Sequence, residues 1–232
     1  MRLSISRLLL LSLLGAAIAP QPAPAGEDAW TTVNNAALEK YQEGEDGQAR
    51  HLFKVAIGKA TRGDCSDGHL ADSLYGLADL YFMQMRFKRA QVLYRRAIAA
   101  DEKGFGPDDP RVAVGLSKLV SAYRRDGRAL ETEPLLLRAL AIREKALGPE
   151  DQLVGNTLLD LTTLYCEQGK LKEAEQVCRR ALEIREKSAG ANSLRLVPPL
   201  CIYAELLRKL GREPEAVGFE SRAKAIEASG RQ

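Results

Sequence analysis

The side chains that could serve as nucleophiles or metal ligands are few and widely spaced in this chain. Its 232 residues contain two histidines, His51 and His69, and four cysteines, which are Cys65, Cys166, Cys178 and Cys201. No Cys-x-x-Cys or His-Glu-x-x-His spacing occurs, and no phosphate-binding Gly-x-x-x-x-Gly-Lys is present. The aspartates within residues 63–72 lack the alternating spacing of a calcium loop. We therefore expect no catalytic residue, no cofactor and no metal site.

A repeat of 42 residues organises the sequence that would have to position any functional side chain. At this shift the chain aligns with itself in several columns. The clearest columns are Leu74, Leu116, Leu158 and Leu200, and then Ala97, Ala139, Ala181 and Ala223, each of which follows an arginine. So many coincidences at one shift indicate a repeat architecture.

Within each repeat the apolar residues have helical spacing. Leu116, Leu119 and Tyr123 lie on one stripe of a helix, and Gly127 then suits the left-handed residue that ends many helices. A second apolar stripe follows and ends at residues 148–149, which read Gly-Pro. Each repeat is therefore predicted to be a helix, a tight turn, a second helix and a loop, with no strand.

These residues resemble the tetratricopeptide repeat, in the subclass found in kinesin light chains. The matching positions are Leu74, Leu77, Ala78, Tyr81, Ala90, Tyr94 and Ala97. The 42-residue length, the Gly-Pro-Asp-Asp-Pro loop at 106–110 and the Arg-Glu-Lys endings at 143–145 and 185–187 fit this subclass. The resemblance implies an all-α solenoid of five helix pairs that forms a right-handed superhelix.

The predicted boundaries differ in quality along the chain. Four full repeats are expected at 70–103, 111–146, 153–188 and 196–229. A degenerate first repeat is expected at 28–62, because Lys40 stands where the pattern has tyrosine. The last repeat also departs from the pattern, with Leu207 in place of tyrosine and Glu220 in place of the second-helix aromatic residue. A more polar outer face is what a terminal repeat needs for solubility.

The resemblance further implies that the first helices of the pairs line a concave groove that binds a partner. We expect the groove to be lined by the first-helix positions that avoid the packing stripes. These groove residues are Asn34, Asn35, Leu38, Tyr75, Asp79, Phe82, Lys118, Ser121, Arg124, Asn156, Leu159, Asp160, Thr163, Glu205 and Arg208. An asparagine there could bond both the N–H and the C=O of an extended peptide. The alternative is that each position is simply solvated.

Residues 1–25 have the pattern of a Sec-type signal peptide. Two arginines precede an apolar run over residues 8–18, and Ala23-Pro24-Ala25 forms a small-x-small cleavage site. We expect cleavage after Ala25 and a periplasmic or secreted location in a bacterium. The alternative is an uncleaved anchor, but the run is about half of the roughly 20 residues that span a bilayer.

Charge and composition exclude some classes of partner. The formal charge is +3, and removal of the two arginines in residues 1–25 would leave +1. Aromatic residues make up only 6% of the chain. Such a protein lacks the basic surface and the stacking platform that nucleic-acid binding needs. No apolar run after residue 25 is long enough to span a membrane, so we expect no membrane span in the mature chain.

Export would permit disulfides. Cys178 takes the second-helix aromatic position of the tetratricopeptide pattern, which faces both its own first helix and the next one. Cys178 could therefore pair with Cys201 or with Cys166. Alternatively, Cys178 and Cys201 are small core residues with free thiols.

Three functional hypotheses follow. The first is a scaffold that binds a protein or peptide in its groove and has no catalysis of its own. The second is a structural accessory of the cell envelope that forms homo-oligomers through its terminal repeats. The third, ranked far below, is an enzyme that uses groove carboxylates such as Asp79 and Asp160, which lie two repeats apart.

Overall fold

The computed structural model describes residues 29–62 and 67–229, and these residues form ten α-helices and no strand. The helices are α1 Ala29–Glu43, α2 Asp46–Thr61, α3 Asp67–Met83, α4 Phe87–Phe105, α5 Pro110–Arg125, α6 Glu133–Leu147, α7 Gln152–Glu167, α8 Leu171–Ala189, α9 Val197–Lys209 and α10 Glu213–Ser229. Short 3₁₀ turns, Ala129–Thr132 and Leu194–Leu196, precede α6 and α9. The all-α repeat is confirmed. The predicted signal peptide lies outside the described residues.

The chain divides into two compact units, Met1–Asp126 and Gly127–Gln232. In the N-terminal unit each helix from α1 to α5 packs against the next one along the chain. In the C-terminal unit the same holds from α6 to α10, with α7 on α8, α8 on α9 and α9 on α10. Every helix thus completes its apolar contacts with its sequence neighbours, which is the behaviour of a stacked repeat.

The helices of a pair meet at small residues. Ala78 of α3 and Ala90 and Ala97 of α4 have no exposed surface. Tyr94 fills the space between them and is 1% exposed. A methyl group occupies little room, so the two backbones approach closely and the larger side chains interdigitate beside them. The column of alanines in the sequence therefore marks the helix contact, as expected from the repeat.

A left-handed residue closes the tight turn within each described pair. Gly44, Gly127, Gly169 and Gly211 have φ between +73° and +83°, where glycine carries no steric penalty. At the equivalent place after α3 stands Met85, with φ of +58° and a side chain that is 68% exposed. Met85 is the one non-glycine residue with positive φ among the described residues.

Aspartates start two of the first helices. The side chain of Asp109 accepts a hydrogen bond from the backbone N–H of Arg111 at 2.8 Å, and Asp151 accepts one from Leu153 at 2.7 Å. These bonds satisfy N–H groups that lack a partner within the helix. The two aspartates lie 42 residues apart, so the repeat carries its own helix-start signal.

The last repeat is closed by a core that includes both departures from the pattern. Leu207 is fully buried and packs with Leu200 and Cys178. Phe219 supplies the aromatic ring that the sequence pattern lacks, and its ring meets the ring of Tyr203 edge-on at 4.7 Å. None of the described helices combines the length and the apolar character that crossing a membrane requires.

Candidate functional site

Two predicted groove residues of the N-terminal unit bind each other. The ammonium of Lys118 on α5 lies 2.8 Å from Oδ2 of Asp79 on α3. The hydroxyl of Tyr94 on α4 donates to Oδ1 of the same carboxylate at 2.6 Å. Burial of the Tyr94 hydroxyl and its carboxylate neighbour raise its pKa well above the ordinary value. Asp79 thus joins three helices, and both of its oxygens are engaged.

Tyr75, another predicted groove residue, points into the protein. Its hydroxyl donates to Oδ2 of Asp101 at 2.8 Å, and Nε of Arg111 donates to Oδ1 at 3.2 Å. The carboxylate of Asp101 is fully buried, and this burial raises its pKa. Arg111 also pairs with Asp72. The site needs a glycine at Gly115, because a Cβ there would lie 2.1 Å from the Tyr75 hydroxyl oxygen.

Asn34 is buried rather than open on a groove. Its side chain is 6% exposed, and Oδ1 accepts a hydrogen bond from the Ser73 hydroxyl at 2.9 Å. Ser73 in turn accepts from Nε1 of Trp30, whose ring stacks on His69 with centroids 4.0 Å apart. Asn34 therefore contributes to the contact between α1 and α3. This differs from the expectation, because only tertiary packing brings Ser73 to it.

The other groove residues of the N-terminal unit vary in exposure. Asn35 and Leu38 are exposed on α1, whereas Phe82 is half-buried and its ring meets that of Phe87 at 5.5 Å. The Ser121 hydroxyl donates to a backbone carbonyl of its own helix at 3.0 Å. Arg124 is half-buried near the end of α5. The partner-binding role of these residues stays a prediction.

In the C-terminal unit, α7 presents a polar face that two arginines support. A half-buried row of four predicted groove residues runs along this helix, namely Asn156, Leu159, Asp160 and Thr163. The Arg185 guanidinium on α8 donates to Oδ1 of Asn156 at 2.7 Å and to the carbonyl of Arg195 at 3.1 Å. Nε of Arg185 is buried without a hydrogen-bond partner among the residues that the structure describes. We call Asn156, Asp160, Thr163, Arg185 and Arg195 the α7 face.

The positive charge on this face is partly desolvated. Burial and the neighbouring charge of Arg195 lower the pKa of Arg185, while Asp160 opposes this effect. Arg143 of α6 is 8% exposed and donates to the hydroxyl of Thr157, and burial lowers its pKa as well. Two arginines brought close to one helix thus lack full hydration, a setting in which an anionic group would be favoured.

Sequence reasoning did not single out Arg143 or Arg185 as site residues. The signal for them was present, because both begin the Arg-Glu-Lys sequence that the repeat places 42 residues apart. We had used that sequence only to recognise the repeat. Repeats of this kind conserve core positions and loops alike, so spacing alone does not separate a packing arginine from one beside a binding surface.

Two groove residues of the last repeat differ in role. Glu205 is exposed on α9. Arg208 pairs with Glu213 at 3.1 Å and with Glu220 of α10. The ion pairs hold Arg208 against the second helix of its own pair. Glu220, which replaces an aromatic residue of the pattern, therefore has a structural use.

No disulfide joins the three cysteines that the structure describes. Cys166 is half-buried, Cys178 is fully buried and Cys201 is exposed, and all three are free thiols. Burial raises the pKa of Cys178 to about 12, so this thiol stays protonated. Cys178 is a small core residue, but Cys201 faces solvent rather than the core. Cys65 lies outside the described residues.

Catalytic and metal-binding clusters are not apparent in the described part of the chain. No group of three or more His, Cys, Asp or Glu side chains there is arranged to hold a metal ion. His51 is exposed. The aspartates expected to cap helices form ion pairs instead, with Asp67 bound to Lys103 at 3.1 Å and Asp72 bound to Arg111.

Stacked helix pairs with small residues at their contacts and polar first-helix surfaces define a helical-repeat scaffold. The chain belongs to the tetratricopeptide repeat family. Family models described as tetratricopeptide repeat match residues 70–111, and then 111–187 and 163–226. The matches contain the residues on which the resemblance rested, and the recognition of the family is confirmed.

Solved structures with the same fold share little sequence with this chain. BtubC (BKLC) from P. vanneervenii is 21% identical with a TM-score of 0.76, covering 86% of this chain and 80% of its own. A putative kinesin light chain from Podosopora anserina, with nearly identical TPR-like repeats, is 20% identical with a TM-score of 0.73, covering 89% and 100%. YrrB, a TPR protein with an unusual peptide-binding site, is 14% identical with a TM-score of 0.62, covering 88% and 94%. A search of curated proteins finds no match.

Proposed function

We propose that this protein is an exported scaffold that binds a protein or peptide partner through its first-helix surfaces and performs no catalysis itself. The observation that carries the proposal is the α7 face. There, Asn156 and Asp160 lie beside the half-buried guanidinium of Arg185. The tetratricopeptide fold supports the same class of function, since YrrB is described as having a peptide-binding site.

The chemistry of the α7 face favours a peptide with a carboxylate. Arg185 and Arg195 provide two positive charges, and burial makes an ion pair with Arg185 stronger than one in bulk water. Asn156 accepts a bond from Arg185, and its amide N–H groups have no acceptor among residues 29–62 and 67–229. These groups suit a backbone carbonyl of an extended chain. A side-chain or C-terminal carboxylate next to that carbonyl would meet the arginines.

Export and location rest on the sequence of residues 1–25. Their basic start, apolar run and small-x-small site support secretion through the Sec route and a periplasmic or secreted location. N-terminal sequencing of protein recovered from the periplasm of an expressing bacterium would test this. A mature chain that begins at Gly26 is expected, and full-length protein retained in the cytoplasm would contradict it.

The binding proposal is tested by affinity capture from periplasmic and culture-medium fractions. The mature protein is immobilised beside a variant that carries Asn156→Ala and Arg195→Ala. A control variant carries Lys172→Ala, an exposed cation on α8 outside the α7 face. We expect a captured protein to be lost with the double variant and retained with the control, while circular dichroism shows the same helix content. Equal capture by all three would reject the α7 face.

The two alternatives are separable from binding. Self-association would appear as concentration-dependent light scattering of the purified protein without any partner. The enzyme hypothesis has less support, because both oxygens of Asp79 are engaged by Tyr94 and Lys118. Neither oxygen is therefore free to act on a substrate as a base.

A further inference from the structure

A pocket opens between α2 and α4 in the N-terminal unit. Its volume is about 590 Å³, which is within the range of ligand-binding pockets. Leu77 and Tyr81 of α3 form its floor and are 4% and 8% exposed. Ile57 and Leu93 add apolar walls. We call this the α2–α4 pocket, and none of the predicted groove residues lines it.

The rim of the α2–α4 pocket is entirely cationic. Its charged lining residues are Lys54, Lys88, Arg89 and Arg96. Within residues 29–62 and 67–229, no carboxylate pairs with any of them, and the Arg89 guanidinium lies 5.6 Å from the centre of the Tyr81 ring. Val92 stands between the arginines and is 53% exposed. The pocket thus combines an apolar floor with positive charge that the described chain leaves uncompensated.

The other repeats show that the fold does not require this charge. The positions equivalent to Arg89 in the next three repeats are Glu131, Glu173 and Glu215. Glu131 pairs with Arg128 at 2.5 Å, and Glu215 pairs with Arg212 at 2.5 Å. The second repeat therefore reverses the charge at a surface position where the later repeats carry an acid.

Arg96 differs from its equivalents in the same way. In two later repeats this arginine pairs with a glutamate 36 residues earlier, as Arg180 does with Glu144 at 2.6 Å and Arg222 with Glu186 at 2.5 Å. The residue 36 positions before Arg96 is Ala60, which is buried. Arg96 has therefore lost the partner that neutralises it in later repeats. Two independent substitutions leave the same pocket positive.

We propose that the α2–α4 pocket binds an acidic amphipathic helix of a partner protein. Apolar side chains of that helix lie over Leu77 and Tyr81, and its carboxylates replace the missing glutamates at Arg89 and Arg96. The cations occupy both walls of the pocket, since Lys54 is on α2. Arg89 and Arg96 lie seven residues apart, or about 10 Å along a helix axis. Carboxylates two turns apart on a helix match that separation, whereas one lipid headgroup is too compact to meet both walls.

The test uses a designed probe, because the partner helix is not identified. The probe is a rhodamine-labelled 16-residue peptide with leucines at helical spacing and glutamates along both flanks of the leucine stripe. A matched peptide has glutamine in place of every glutamate. Binding to the full mature protein is followed by fluorescence anisotropy at low and at physiological salt. Vesicles of phosphatidylglycerol and the fatty acid dodecanoate are tested in parallel.

Two protein variants locate the binding. Arg89→Glu with Arg96→Glu reverses the pocket charge and places at residue 89 the acid that other repeats carry. Lys172→Glu reverses one exposed cation at the position of the fourth repeat equivalent to Lys88. We expect the double variant to bind the acidic probe at least tenfold more weakly and Lys172→Glu to bind it within twofold of the original protein. We also expect the glutamine peptide to bind at least tenfold more weakly, and affinity to fall with salt.

Three results would overturn the proposal. The first is no binding of the acidic probe. The second is equal weakening by both variants, which would indicate general electrostatic attraction. The third is binding of vesicles or dodecanoate that depends on Arg89 and Arg96 when the probe's binding does not. Thermal unfolding of the double variant is measured alongside, and Val92→Asp, which changes one exposed side chain, gives a second route to the same conclusion.

Discussion

The ammonium of Lys118 lies 2.8 Å from the carboxylate of Asp79, and the two side chains are only 12% and 23% exposed. They belong to α5 and α3, which carry equivalent positions in successive repeats. Both were expected to contact a partner, and instead they join one repeat to the next. The pair shows how first-helix polar residues in this fold also hold the stack together.

Replacing Lys118 with methionine should lower the free energy of unfolding by about 1–3 kcal/mol, because it leaves a partly buried carboxylate without its cation. Urea unfolding followed by circular dichroism measures the loss. The double variant Asp79→Asn with Lys118→Met should recover part of it, since asparagine keeps an acceptor for the Tyr94 hydroxyl. An unchanged unfolding midpoint for Lys118→Met would show that the pair contributes nothing.

Replacing Met85 with glycine should stabilise the protein by about 1 kcal/mol. Met85 has a left-handed conformation that costs a side chain energy, and its exposed side chain forms little of the core. Thermal unfolding would show a higher midpoint. The matched control is Gly127→Ala at the equivalent turn, with φ of +77°, which should lower the midpoint for the same reason. Shifts of the same sign in both variants would contradict this account.

Glu175 should make stability depend on acid pH. Hydrogen bonds from Arg212 at 2.6 Å, together with Tyr203, lower the pKa of Glu175 below its ordinary value of 4.5. A carboxyl with a depressed folded pKa contributes stability that is fully present above the unfolded pKa. That contribution is lost as the pH falls through the folded pKa. Stability should therefore decline from about pH 5 downwards partly through this residue.

The variant Glu175→Gln isolates this effect. Its free energy of unfolding should be lower than that of the original protein at pH 7, and the difference should shrink as the pH falls below 4.5. Urea unfolding at intervals between pH 7 and pH 3 gives both curves. Parallel curves over that range would mean that Glu175 does not titrate in this way.

The cysteines should react in a fixed order. Cys201 is exposed and should be alkylated by a maleimide within minutes in the folded protein. Cys178 is fully buried, with a pKa raised to about 12, and should react only after unfolding. Mass spectrometry of timed samples separates the sites, with Cys201→Ser as the control. Protection of Cys201 in the folded, non-reduced protein would point instead to a disulfide.

The sequence alone was sufficient for the secondary structure and the repeat. Helical periodicity is a local property, so the stripe that includes Leu116 and Tyr123 predicts a helix, and α5 covers it. The turn at Gly127 follows from the conformational freedom of glycine, and its φ of +77° agrees. Alanine columns likewise marked the contacts between paired helices, because close approach needs small side chains wherever it occurs.

The tertiary structure decided which polar residues are free to meet a partner. Asn34 is buried against Ser73, Asp79 pairs with Lys118, and Arg185 reaches Asn156. Each of these contacts joins residues 29 to 39 positions apart. Their formation depends on the register between neighbouring helices and on side-chain rotamers, which the periodicity of one helix does not specify. The charge of the α2–α4 pocket was readable from the repeat only once the pairings of equivalent residues in other repeats were known.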